Sequence, residues 1–254
     1  MIFWKKGEVK MENTIELKNV SYKRNQRVIL ANINLEVEKG TTIGLLGENG
    51  AGKTTLMRSI AGVAKGARGV IKIKDETGIV ERKALVSYTD SLDGFSKGSK
   101  ITDIVDFYSQ VYPDFSTNEY RELSDFLDFG SDQQKLGELS KGMKEKLVIS
   151  LTLARRASVY LLDEPFEGID SMTRKKIVNS LIQWKAPDAV MMISDHYISE
   201  ISGLLDEVAI IKDDHLIAHE KTEKIREQGV SIEDYYEGLY DEEVTTNDES
   251  QKNE

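Results

Sequence analysis

The stretch GENGAGKTT, Gly47 to Thr55, follows the apolar run Ile43-Gly44-Leu45-Leu46 and puts a lysine directly after Gly52. It fits G-x-x-x-x-G-K-S/T, with Gly47, Gly52, Lys53 and Thr54 in the fixed places, after an expected strand and before an expected helix. Glycines carry no Cβ, so successive N–H groups can turn inward and form an anion nest. The helix that starts near Lys53 adds the positive end of its dipole. The pattern therefore points to bound phosphates, with Lys53 reaching the β- and γ-phosphates of a nucleotide and the Thr54 hydroxyl available to Mg²⁺. Candidate contacts across the loop are Gly47, Asn49, Gly50, Ala51, Gly52, Lys53, Thr54 and Thr55.

Outward from this loop, the period of the apolar residues sets the remaining elements. Strands are expected at Thr14–Tyr22, Ile33–Val37 and Thr41–Leu46, then a helix over Lys53–Val63 with Leu56, Ile60 and Val63 on one face. Short strands are expected at Val70–Ile73 and Ala84–Thr89. A helical stretch covers Ile101–Phe129, broken at Tyr112-Pro113-Asp114, and a second helix covers Lys141–Ala157. Strand Val159–Asp163, helix Thr173–Trp184, strand Ala189–Ser194 and a hairpin around Lys212-Asp213-Asp214-His215 follow. The alternation predicts an α/β core with parallel strands, and the helical stretch from about 92 to 157 predicts a lobe inserted into it. From Asp241 the chain is acidic and poor in apolar residues, which predicts a disordered tail.

Composition narrows the function classes. Of 254 residues, 39% are hydrophobic and 31% charged, the profile of a soluble globular chain. There is no cysteine, so disulfides and thiolate metal sites are excluded, and only three histidines remain as nitrogen ligands. A formal net charge of −10 argues against a nucleic-acid surface, which needs clustered Lys and Arg. No apolar run approaches the roughly 20 residues that cross a bilayer, so any membrane role is expected to depend on a partner. The first ten residues look like an extension, and Met11 is a second candidate start.

A second candidate group is VYLLDEP, Val159 to Pro165, an apolar run ending in two acids. A strand tip beside a phosphate loop is where a carboxylate is needed for the metal, a role that suits Asp163. Glu164, one residue on, would face the other way if the strand geometry persists, which leaves it free to polarise water as a general base.

With these motifs in place the sequence resembles the ATP-binding cassette (ABC) family. Besides GENGAGKTT and VYLLDEP it carries LSKGM (Leu139–Met143), Gly168-Ile169-Asp170 after the acids, and His196 in MMISDHY, in the family's order from about Thr14 to His219. The resemblance implies a P-loop core with a mixed sheet, an antiparallel β subdomain and an inserted helical subdomain, the cassette spanning residues 11–230. A C-terminal helix and the acidic tail, 231–254, would follow. It further implies a head-to-tail dimer, homomeric or heteromeric, in which ATP and Mg²⁺ are held between the phosphate loop of one subunit and the signature of the other. Carried over, Ser140 and Gly142 donate to the γ-phosphate across the interface, His196 bonds the γ-phosphate, and Asp170 couples the two halves. Glu164, His196 and Lys53 are the expected catalytic residues, and Thr54 and Asp163 the metal ligands.

Three departures from the family pattern qualify this. Lys141 and Met143 stand where the signature has glycine and glutamine. A lysine in a helix's first turn opposes the dipole, which suggests an anion nearby: a phosphate across the dimer, or solvent alone. The loop that usually supplies a glutamine reads VSYTDSLDGF, with Asp90 or Ser91 at the position. Where the family stacks an aromatic on adenine, the candidates are Tyr22 and Arg24.

LSKGM, the missing glutamine and FYSQVYPDF resemble bacterial exporter cassettes encoded with GntR-type regulators and active on peptides, antibiotics or lipids. The function so implied is ATP hydrolysis that powers separate membrane-spanning permease subunits, from the cytoplasmic face of the cell membrane. The competing expectation is a soluble or regulatory ABC ATPase not coupled to transport.

Overall fold

The computed structural model describes residues 12–88, 91–166, 168–195 and 198–249. The chain opens with a hairpin, β1 (Asn13–Arg24) and β2 (Arg27–Glu38). Its two turn residues, Asn25 and Gln26, take positive φ of 48° and 67°, the twist that two-residue hairpin turns require. Strand β2 is longer than the Ile33–Val37 expected, because the Asn-Gln turn carries no glycine and goes unmarked in the sequence. After β3 (Thr42–Leu46) and α1 (Lys53–Ile60), strand β4 (Arg68–Ile73) returns to pair with β1, closing a three-stranded antiparallel sheet in the order β2-β1-β4.

Next come α2 (Ile79–Leu85) and β5 (Val86–Tyr88), where sequence predicts one strand over Ala84–Thr89. Helix α2 leaves Ile79 and Val80 exposed, so it lacks the buried stripe by which a helix is recognised. The helical stretch follows as α3 (Ile101–Val111), α4 (Thr117–Phe126) and α5 (Lys141–Leu153), inserted between β5 and β6 (Val159–Asp163). Arg155, buried at the exit of α5, fastens this insertion to the core. It bonds Asp114 at 3.1 Å, the Val86 carbonyl at 2.7 Å and the Ala84 carbonyl at 3.2 Å, and lies 4.0 Å over the Tyr112 ring.

The remainder is α6 (Ser171–Trp184), β7 (Val190–Ser194), α7 (Ile198–Ile201), the hairpin β8 (Glu207–Lys212) and β9 (His215–Lys221), α8 (Thr222–Glu227) and α9 (Ile232–Glu249). Helix α9 continues past Asp241, where composition predicts disorder, through a stretch with no glycine or proline to stop it.

The main sheet has six strands in the order β5-β6-β7-β3-β8-β9, parallel except for β9. Its central strands are covered on both faces, and the period-two alternation divides their side chains between two cores. Val159, Leu161, Val190, Met192, Ala209 and Ile211 face the antiparallel sheet and α1. Tyr160, Leu162, Met191, Ile193, Val208 and Ile210 face the helical side. Because the strands are parallel, Leu46, Asp163, Ser194 and Lys212 all arrive at one edge of the sheet, where open α/β sheets bind ligands.

Candidate functional site: a nucleotide cleft at the strand ends

The loop after β3 is shaped by what its glycines avoid. Gly47, at φ 151°, lies so close to β8 that an added Cβ would sit 2.4 Å from the Ile211 carbonyl oxygen. Gly52, at φ 107°, caps α1, and a Cβ there would meet the Ile29 carbonyl at 2.7 Å and Leu30 Cδ2 at 2.8 Å. Gly50, at φ 87°, faces open space. Two glycines thus let the loop be pressed between β2 and β8, and the third serves only its turn.

Lys53 is 5% exposed, and its ammonium curls back inside the loop to donate to the Gly47 carbonyl at 2.7 Å and the Glu48 carbonyl at 3.0 Å. Burial lowers its pKa, and the carboxylates of Glu164, Asp163 and Asp195 oppose that shift. The cation is thus held on the loop among acids.

At the tip of β6, Asp163 pairs in register with Ser194 of β7. The Ser194 hydroxyl donates to Asp163 Oδ1 at 2.7 Å, and the Tyr88 hydroxyl donates to Oδ2 at 3.3 Å. Glu164 has a left-handed backbone, φ 51°, which is strained for a residue with a side chain. Its amide is held by the Ser194 carbonyl at 2.9 Å and the Ser194 hydroxyl at 3.2 Å.

Two clefts meet here. One, of about 310 Å³, is lined by Asn49, Gly50, Gly52, Lys53, Thr54 and Thr55 with Glu164, Arg27 and Ile29. The other, of about 620 Å³, joins Thr54, Asp163 and Glu164 to Tyr88 and Ser91 and opens towards the helical insertion. Thr54 and Glu164 line both. Thr54 and Asp163 supply hard oxygen donors, and among the described residues no group of three or more His, Cys, Asp or Glu could hold a metal unaided. That donor set suits Mg²⁺, which takes few protein ligands and relies on phosphate oxygens and water.

The other expected residues lie elsewhere. Ser140 caps α5, its hydroxyl accepting the Met143 amide at 3.2 Å, and a Cβ added to Gly142 beside it would meet open space. Asp170 caps α6, with Oδ1 accepting the Met172 and Thr173 amides at 3.0 Å each; hydrogen bonds from Thr173 lead in holding its carboxyl below the usual carboxylate range. None of Ser140, Gly142 and Asp170 lines the two clefts. Lys141 is turned towards its own chain, its ammonium 2.9 Å from where a Gly168 Cβ would be. His196 and Asp90 lie outside the described residues.

Of the adenine candidates, Tyr22 packs on the core of the antiparallel side and Arg24 is exposed at the hairpin end; Arg27 and Ile29 are the side chains that border the loop's cleft. Sequence reading passed over Arg27, Ile29, Ser194 and Tyr88. Ser194 had one local signal, a serine ending an otherwise apolar strand.

The ABC transporter family model matches residues 30–167, and the chain belongs to that family. It is 31% identical over 183 residues to the zinc import ATP-binding protein ZnuC of Rickettsia bellii, covering 71% of this chain and 75% of that one. It is 30% identical over 192 residues to the bacitracin transport ATP-binding protein BcrA of Bacillus licheniformis, covering 73% and 62%. Among solved structures, an ATP binding subunit of an ABC transporter superposes with a TM-score of 0.77 at 25% identity, covering 89% of this chain and 99% of that one. The chain is an ATP-binding, ATP-hydrolysing subunit of the ABC transporter class, built on the P-loop fold.

Proposed function

We propose that this chain is the motor of a bacterial exporter, that two cassettes close around ATP, and that Glu164 is the base that activates the attacking water. The observation that carries this is the single cleft in which Thr54, Asp163 and Glu164 converge beside the loop that encloses Lys53. Lys53 neutralises the terminal phosphates, while Thr54 and Asp163 would hold Mg²⁺, which when bound supplies charge neutralisation on the β- and γ-phosphates. Ser194 keeps Asp163 and the Glu164 backbone in place. Glu164 takes the proton from water as it attacks.

The signature stands outside the cleft, which supports a site completed by a second subunit. Ser140 and Gly142, at the exposed N-terminus of α5, would donate to the γ-phosphate held by the partner's loop, with His196 and Asp170 acting at the same interface. Whether the partner is a second copy or a different cassette, the requirement is the same.

A separate groove supports docking to a permease. It holds about 630 Å³ between the core and the insertion, and its lining includes Val63, Val80, Val111, Tyr108 and Tyr112. Val80 is 76% exposed and Val111 49% exposed, an apolar surface that suits a partner on the cytoplasmic face of the membrane. The likeness to BcrA, a bacitracin transport protein, favours a peptide or antibiotic cargo, and the LSKGM signature favours export of peptides, antibiotics or lipids.

The test is capture from detergent-solubilised native membranes. A membrane-spanning subunit should be recovered with the wild-type chain and lost with Val80→Asp, while ATPase activity of the isolated chain is unchanged. Recovery of the chain alone, with ATPase intact, would instead support the soluble or regulatory cassette.

A further inference from the structure

The C-terminal helix reaches the phosphate loop. Tyr235, Tyr236, Leu239 and Tyr240 of α9 pack against the main core, and this brings the Tyr240 hydroxyl to the joint between β8 and the loop. There it accepts the Glu48 amide at 3.3 Å and donates to the Ile211 carbonyl at 2.9 Å. Ile211 O is the same atom that Gly47 approaches too closely to allow a side chain.

The Tyr240 ring is itself anchored. Lys212 Nζ lies 4.8 Å from its centroid and the Tyr236 ring 4.9 Å away, tilted by 49°. Lys212 also donates to the last carbonyls before the helix's acidic half, Leu239 O at 3.5 Å and Tyr240 O at 3.4 Å.

The first peptide of the loop, Gly47–Glu48, is therefore gripped from both sides, and the second from within. Lys53 takes the Gly47 and Glu48 carbonyls from within, and Tyr240 takes the Glu48 amide from outside. On nucleotide binding the Lys53 ammonium, which has three donors, must share them with the terminal phosphates, and this loosens the inner grip. The outer grip is the one that nucleotide leaves in place.

We infer that Tyr240 is a positioning residue for the phosphate loop, and that α9 and nucleotide are coupled through its hydroxyl. This rests on the ATP-binding reading of the loop. By linkage the coupling runs both ways: an ordered α9 tightens nucleotide, and nucleotide orders α9. Whatever engages the acidic end of this helix then acts on the affinity of a site it does not touch.

Tyr240→Phe tests this, because it keeps the ring, its stacking and its contact with Lys212 and removes only the hydroxyl. Mg-ATP affinity should weaken by about 3- to 10-fold, the range that one net hydrogen bond supplies, with KM rising in step and saturated kcat nearly unchanged. Hydrogen exchange on the wild-type chain is the second arm: saturating Mg-ATP should slow exchange of the amides around 236–240, and in Tyr240→Phe this slowing should be lost. Equal affinity in the two proteins, or exchange in α9 indifferent to nucleotide, would overturn the coupling. A wild-type chain that binds no Mg-ATP would overturn the nucleotide reading itself, which is a different result.

Discussion

Ser194 holds both acids of the β6 tip at once, its hydroxyl donating to Asp163 Oδ1 at 2.7 Å and accepting the Glu164 amide at 3.2 Å. Ser194 is fully buried, whereas Asp163 is half-buried and lines the cleft, so water can make good only part of the loss. Ser194→Ala should cost about 1–3 kcal/mol of stability, the penalty for unpairing a buried charged-group hydrogen bond, read from a urea titration. The same substitution should lower ATP turnover about tenfold, because supporting partners of a metal-holding carboxylate are worth about 10–100-fold.

Glu164 offers a trade between stability and activity. Its left-handed backbone costs about 1–2 kcal/mol, and glycine gives back about 0.5–1 kcal/mol of that in chain entropy. Set against the lost attraction between the Glu164 carboxylate and the Lys53 ammonium, Glu164→Gly should leave stability within about 1 kcal/mol of wild type while losing turnover. A clear drop in thermal stability would mean that the Glu164 side chain contributes contacts beyond its backbone strain.

The loop glycines should rank by what surrounds them. Gly47→Ala and Gly52→Ala drive a Cβ into backbone carbonyls at 2.4 Å and 2.7 Å, whereas Gly50→Ala meets nothing within 4 Å. Gly50→Ala should lose only the αL penalty of about 1–2 kcal/mol. The other two should be markedly less stable by thermal melting, and their nucleotide affinity should fall with the displaced loop.

Alkaline pH provides a test of the buried core. Burial pushes the Tyr160 phenol up to about 12, against an ordinary value near 10, and its hydroxyl donates to the Arg155 carbonyl at 2.6 Å. With the folded pKa above the unfolded one, the unfolded chain loses its proton first. The stability Tyr160 contributes is complete below about pH 10 and is lost as pH rises towards about 12, at most about 3 kcal/mol in all. Tyr160→Phe should lose stability less steeply than wild type across that interval in urea titrations, and parallel slopes would contradict the assignment.

How much of this was legible in the sequence follows from how local each feature is. The phosphate loop is contiguous, and its glycines and lysine carry their geometry with them. Asp163 and Glu164 stand out as acids ending an apolar strand. Ser194 and Tyr88 reach the site because strand order places β5, β6 and β7 side by side, and Tyr240 because α9 packs back onto the core beside β8. They bond to residues 31, 75 and 192 positions away in the chain, and no local pattern encodes those meetings. Helix α2 escaped for the opposite reason: Ile79 and Val80 face outward, so its apolar residues mark a surface rather than a core. The interior strands, by contrast, are written plainly as near-continuous apolar runs along β6, β7 and β8.

The central claim is that Glu164, standing with Thr54 and Asp163 in one cleft, activates the water that attacks ATP. Glu164→Gln preserves shape and removes the base, so Mg-ATP binding and single-cycle turnover measured on the same preparation decide it. Binding should persist while turnover falls about 10²–10⁴-fold. Turnover at the wild-type rate with binding intact would contradict the account.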